Sequence, residues 1–289
     1  MTPVSRGILY ALTGFTVFSL SDSVFKYIGS SGYPVLVLVF WSAFSGVAMA
    51  TAISLLWGGL RKNLGSTNLK MQGLRALFLA LNFGLFICGL ILLPMAKAYA
   101  LIFATPLLTA VLSVFFLKEK IGWSRLASIV LGFAGVLVIL RPGSIPLDTG
   151  TVCVLLAAVA MALGNIISRR IGEGEPLLAF SFYRDALMLT ASGAGLLIQG
   201  GQWPSGLHIG FLAASGILSA TGIILVSRGF TLAPSSAAAP THYVQMIWAP
   251  LIGWLVFREL PDVWTAVGAV LIVVSGLYLI WRESCRQGR

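Results

Sequence analysis

Residues Pro94–Pro142 read PMAKAYALIFATPLLTAVLSVFFLKEKIGWSRLASIVLGFAGVLVILRP. Two apolar runs, each of the length a helix needs to cross a hydrocarbon core, are parted by Lys118-Glu119-Lys120 and stopped by Arg141-Pro142. The same order recurs at Ala233–Trp281, APSSAAAPTHYVQMIWAPLIGWLVFRELPDVWTAVGAVLIVVSGLYLIW. At an offset of about 140, Pro94 falls on Pro234, Phe103 on Tyr243 and Leu117-Lys118-Glu119 on Phe257-Arg258-Glu259. One residue further on, Trp123 meets Trp264 and Gly135 meets Gly276. Upstream, Gly7, Asp22, Lys26 and Ile28-Gly29 match Gly150, Asn165, Arg169 and Ile171-Gly172. The chain therefore reads as two copies of one unit, residues 1–145 and 146–289.

Composition extends that reading to the whole chain. Of 289 residues, 58% are hydrophobic and 10% charged, with a mean hydropathy of +0.95. Such a chain has too few polar groups to cover a water-facing surface. A soluble enzyme, a nucleic-acid binder and a secreted disulfide scaffold are thereby excluded. Apolar runs separated by Gly, Pro or charge place spans at 7–28, 34–57, 73–93, 95–117, 123–140, 150–168, 177–198, 207–231, 235–257 and 262–281. Pro34, Pro176, Pro234 and Pro261 stand at span starts, where a missing N–H costs least. Strand-like alternation is missing, so a β-barrel is excluded. The expected fold is an all-α membrane protein whose ten transmembrane helices form two five-helix repeats. An odd number of helices per repeat inverts the second in the membrane, with a central cavity between the halves.

The net charge of +10 sets orientation rather than marking a nucleic-acid partner. Fourteen Lys and Arg lie on the side of the N-terminus and four (Lys26, Lys97, Arg141, Arg258) on the other, with Arg184 inside a span. That bias predicts both termini in the cytoplasm and a multi-pass protein of the inner (plasma) membrane. Arg6 ahead of Ile8–Leu20 mimics a signal peptide, but the apolar run continues and reads as the first span. Cys88, Cys153 and Cys285 are far apart in the sequence and show no metal-ligand spacing.

With two halves that each end in an apolar helix, a basic-Glu pair, a Trp and a Gly-rich apolar helix, the chain resembles the drug/metabolite transporter superfamily of EamA type. Within it the similarity is greatest to YddG-type exporters of aromatic and other amino acids. The resemblance implies a cavity framed by spans 1, 3, 4, 6, 8 and 9, supported by 2, 5, 7 and 10. It also implies amino acids as the small-molecule partner.

Side chains too polar for lipid identify the candidate site. Span 4 offers Tyr99, Phe103 and Pro106 on one face. Span 9 offers His242, Tyr243, Gln245, Met246 and Trp248 between Pro240 and Pro250. Proline leaves carbonyls free for a ligand or water, and aromatic walls with a few polar groups suit an amphipathic solute. Asn82 of span 3 and Asn165 of span 6 could join them. Asp22 is the candidate coupling group, although Lys26 lies at i+4 and is expected to pair with it. Arg184 and Asp185 are neighbours that point about 100° apart, a poor arrangement for one ion pair. Lys118-Glu119 and Arg258-Glu259 read as loop fasteners, and Trp41, Trp57, Trp123, Trp264 and Trp281 as interface anchors. Gly46, Ala50, Gly132, Gly135, Gly268 and Gly276 offer small faces for close helix approach. Catalytic residues, metals and cofactors are expected to be none. The function expected is secondary export of small amphipathic metabolites, amino acids first. Another metabolite such as a nucleobase or vitamin is the alternative, and a lipid-modifying enzyme a remoter one.

Overall fold

The computed structural model describes residues 3–117, 123–141, 148–171, 175–199, 203–233 and 238–287. Among these, every regular element is helical: α1 (Pro3–Ser30), α2 (Val35–Leu56), a short α3 (Leu60–Leu64), α4 (Leu69–Leu92), α5 (Met95–Ile102), α6 (Thr105–Leu117), α7 (Trp123–Leu140), α8 (Thr149–Ile171), α9 (Leu177–Gln199), α10 (Gly206–Leu232), a 3-10 segment (Ala239–Val244) leading into α11 (Gln245–Phe257), and α12 (Val263–Gln287). Ten spans result, because α5 with α6 makes the fourth and the 3-10 segment with α11 the ninth. Six helical stretches among the described residues are long and apolar enough to cross a membrane, and two further apolar ones lie in α7 and α12. Lys118, Glu119, Lys120, Pro142, Gly172, Gly200, Gly201, Pro234 and Arg289 lie outside the described residues. So do the side chains of Arg125, Arg169, Trp281, Arg282, Cys285 and Arg286.

Spans 4 and 9, expected as unbroken helices, are both divided. In span 4 the helix stops at Ile102 and restarts at Thr105, so that Pro106 occupies the first turn of α6. Proline has no N–H to offer the Ile102 carbonyl, and the Thr105 hydroxyl takes that place at 2.6 Å. In span 9, Pro240 sits in the tight 3-10 segment before α11 begins. The two breaks fall at Phe103 and at Tyr243, which are repeat mates. Irregular backbone at this depth is tolerated because it is buried in protein.

Helix pairing follows the same symmetry. Span 1 packs most extensively on span 8, 3 on 6, 2 on 7 and 5 on 10, while span 4 packs most on span 6 and span 9 on span 1. Exchanging every span for its repeat mate leaves this pattern unchanged. Small residues allow the closest approaches: a Cβ on Gly7 would meet Ala233, and one on Gly229 would meet Ala11, both at 2.7 Å. Across spans 5 and 10, a Cβ on Gly135 would stand 2.8 Å from the Gly268 carbonyl. Gly29, which reads as a turn residue, instead lies within α1 against Ile91, whereas Gly58 and Gly59 turn the chain at φ +104° and +90°. The helix approach of spans 3 and 6 also brings together Cys88 and Cys153, whose sulfurs are 3.6 Å apart as free thiols.

At the face away from the N-terminus, Lys97 pairs with Asp148 at 3.1 Å and Arg141 with Asp262. Asp148 also caps α8, accepting from the Thr151 N–H at 2.6 Å. At the opposite face Glu175 ties two loops together, accepting from the Thr67 N–H and hydroxyl, each at 2.7 Å, and from Ser66 at 3.0 Å. Trp57, Trp123 and Trp264 are exposed at span ends, whereas Trp41 is half-buried and packs against Phe40, Phe44 and Trp203.

Candidate functional site

A cavity of about 1040 Å³ lies between spans 1, 3, 4, 6, 8 and 9, with one residue each from span 2 (Ser42) and span 7 (Arg184). It extends towards the face of the N-terminus, where Ser168 lies within a turn of the end of α8. Its other end stops at Tyr99 and Asp22, beyond which Ile28, Leu90 and Met95 are fully buried.

The wall is aromatic. Phe15 and Phe18 share a helix face with Asp22 at i, i+3 and i+7. His242 is held between Phe15, stacked at 4.4 Å between centroids, and Phe103, tilted at 4.6 Å. Tyr99 stacks on Phe103 at 6.3 Å and meets the edge of Phe86 at 5.7 Å. These spacings are those at which ring pairs attract. At the closed end the Tyr99 hydroxyl donates to Asp22 Oδ2 at 2.5 Å, and the Gln245 amide reaches the same hydroxyl at 3.5 Å.

Lys26 does not pair with Asp22. It is 2% exposed and reaches towards the ends of α4 and α11, where its ammonium meets Glu259 at 2.9 Å and donates to the Leu90 and Leu93 carbonyls. Glu259 in turn accepts from the Met95 N–H at 3.2 Å. The expected i, i+4 pair loses because Glu259 and the open carbonyls at the end of α4 together satisfy the ammonium better than one carboxylate on the same helix. Arg184 and Asp185 likewise depart from expectation. Although their Cα–Cβ bonds diverge, the long arginine side chain folds back, and Nε and Nη2 reach Asp185 Oδ1 at 2.8 and 2.7 Å.

Of the residues singled out from the sequence, Asp22, Asn82, Tyr99, Phe103, Asn165, His242 and Gln245 line the central cavity. The Asn82 amide N–H is also engaged, donating to the Ala157 carbonyl at 2.9 Å. Tyr243 and Met246 are placed elsewhere. They line a second, apolar cavity of about 580 Å³ between spans 9 and 10. There the Tyr243 ring backs Phe103 at 5.2 Å and its hydroxyl lies over Gly276. A 3-10 segment advances by about 120° per residue, which separates His242 and Tyr243 more than an α-helix would. Trp248 ties span 9 to span 1 through its N–H, which donates to the Thr16 hydroxyl at 2.9 Å. Sequence reasoning missed Phe15 and Phe18, although their spacing to Asp22 marks one helix face. It also set aside Arg184, which reaches the cavity from a supporting span.

Comparison with known proteins agrees with this architecture. A solved crystal structure, 19% identical, superposes with a TM-score of 0.65 over 94% of this chain and 96% of that one. The chain is similar to an S-adenosylmethionine uptake transporter of Rickettsia prowazekii, 27% identical over 96% of this chain and 93% of the other. It is also similar to a riboflavin transporter of Vibrio cholerae (24%, covering 98% and 96%) and a pseudopaline exporter of Pseudomonas aeruginosa (26%, covering 96% of each). None of these three names is that of an aromatic amino acid exporter, the subgroup suggested by the sequence. The model of the EamA-like transporter family matches residues 5–141 and again 148–282. Carrying that pattern twice over a ten-span helical frame, the chain belongs to the EamA-like transporter family and is a multi-pass membrane transporter.

Proposed function

We propose that this chain moves small amphipathic solutes in which a flat ring is joined to an amino-acid end, with amino acids, aromatic ones included, as the exported class. The observation that carries the reading is the placing of Asp22 at the closed end of an aromatic wall. A cavity-facing carboxylate offers a counter-charge to an ammonium, and the Phe15–His242–Phe103 stack offers a surface for a ring. S-adenosylmethionine is the second reading. It has the same amino-acid end on a purine, several relatives bear its name, and the cavity has room for more than an amino acid.

In this reading the halves 1–145 and 146–289 rock about the cavity, and both termini lie in the cytoplasm of an inner-membrane protein, as the fourteen-to-four charge bias suggests. The test is counterflow into proteoliposomes preloaded with each solute in turn. Labelled phenylalanine or S-adenosylmethionine should accumulate well above threonine. Accumulation of riboflavin alone would overturn the reading. Reporter fusions at each terminus check the orientation, and an external terminus would refute it.

A further inference from the structure

We infer that Arg184 is the anion-binding pole of the central cavity, holding the carboxylate of a solute whose ammonium lies towards Asp22. The inference rests on the reading given under Proposed function and deepens it, by assigning the group that holds the carboxylate of the amino-acid end.

Four observations carry it. First, Arg184 lines the central cavity although it belongs to span 7. Second, its partner does not face that space: Asp185 is 4% exposed and its Oδ2 is turned onto Gly46 of span 2. A solute therefore meets the guanidinium and not the carboxylate that neutralises it. Third, Nε and Nη2 both go to the single oxygen Oδ1. A guanidinium has five N–H donors, so Nη1 and the second Nη2 hydrogen remain for a bidentate grip on another carboxylate. Fourth, the surroundings are polar. Ser42 and Ser219 border both the central cavity and the small cleft behind Arg184. Arg75 lies near enough to Arg184 for their charges to interact. Arg75 is itself fixed by Ser168, another cavity residue, at 2.6 Å and by the Phe180 carbonyl at 3.0 Å.

The cavity thus has an acidic pole at Asp22 and a basic pole at Arg184, with the aromatic wall between them. A purely structural arginine would also bond Asp185, but it would give the cavity no preference for a carboxylate.

The experiment compares phenylalanine with phenylalanine amide, which keeps ring and ammonium and lacks only the anion. Both compete against a labelled solute in proteoliposomes, and the S-adenosylmethionine methyl ester serves the same purpose for that solute. On the unaltered protein the free acid should compete roughly 10- to 100-fold better than the amide, the range of a charge-assisted bond. In the double variant Arg184→Gln with Asp185→Asn, which leaves neither member of the pair charged, that ratio should fall to about one. Equal competition by acid and amide on the unaltered protein would overturn the inference without any variant. So would a ratio that survives in the double variant. If neither acid nor amide competes, for phenylalanine or for S-adenosylmethionine, the underlying reading fails as well, and the outcomes tell the two failures apart.

Discussion

Lys26 lies one helical turn beyond Asp22, yet its ammonium stands 2.9 Å from Glu259, in the connection between spans 9 and 10. The acidic and the basic side chain of span 1 therefore serve different ends. Lys26 fastens the face away from the N-terminus, joining span 1 to the last carbonyls of α4, where a cation complements the helix dipole. Asp22 is left facing the cavity with Tyr99 as its partner. In an alternating-access carrier the first contact is one that must break when that face opens.

Replacing Glu259 by Gln should loosen this closure. Removing one member of a buried pair costs about 3–5 kcal/mol, and the partial exposure of Glu259 reduces the expected loss to roughly 1–2 kcal/mol. Thermal unfolding in detergent reads that loss. A cysteine placed at Leu93 should also label faster with a thiol reagent in Glu259→Gln. Lys97→Ala removes a pair of exposed groups and should change stability by less than about 1 kcal/mol. Equal stability of all three proteins would show that the Lys26 contact does not close the cavity.

Asp22→Asn keeps an oxygen for the Tyr99 hydroxyl, removes the acidic group and puts an amide N–H2 in place of the second oxygen. Apparent affinity for ammonium-bearing solutes should fall roughly tenfold or more, while a neutral ring compound competes unchanged. Counterflow with both solute types measures the difference. Undiminished amino-acid exchange would remove Asp22 from recognition.

Much of the frame was legible because a bilayer imposes simple rules. Length, hydropathy and the recurrence of Pro94, Trp123 and Gly135 gave ten spans and two halves, and the pairing of spans obeys that symmetry. Direction of side chains was harder. The Lys26 partner lies more than two hundred residues away, so no local spacing could point to Glu259. An unbroken α-helix over 235–257 would keep Tyr243 with His242, but the 3-10 segment sends the two to different cavities. Arg184 reaches the cavity by the flexibility of its own side chain, which a helical wheel does not represent.

Glu175 supplies a pH-dependent tie outside the spans. Burial pushes its carboxyl upward, but the bonds from Thr67 and Ser66 outweigh this and hold it below the ordinary glutamate value of 4.5. A depressed carboxyl contributes stability above its unfolded value and loses it as pH falls through its folded value. Loss of thermal stability on acidification below about pH 4.5 should therefore be smaller in Glu175→Gln than in the parent. Parallel acid-loss curves for the two proteins would show that the tie between these loops carries no stability.

Recognition of the ring is best tested by contrasting neighbours that the chain separates. His242 stands in the central wall between Phe15 and Phe103, whereas Tyr243 supports Phe103 from behind with its hydroxyl over Gly276. Losing one aromatic partner costs about 0.5–1.5 kcal/mol, so Phe103→Ala and His242→Ala should weaken phenylalanine roughly 2- to 12-fold and leave threonine almost unaffected. Tyr243→Phe removes a hydroxyl that faces away from the solute and should preserve the preference for ring-bearing solutes. Tyr243→Ala withdraws the backing of Phe103 and leaves a void against Gly276, so thermal stability should fall before selectivity does. Transport of both amino acids, normalised to protein in the membrane, separates these effects. If Tyr243→Ala proved the more selective loss while His242→Ala changed nothing, the ring would bind between spans 9 and 10 and the central wall would be only packing.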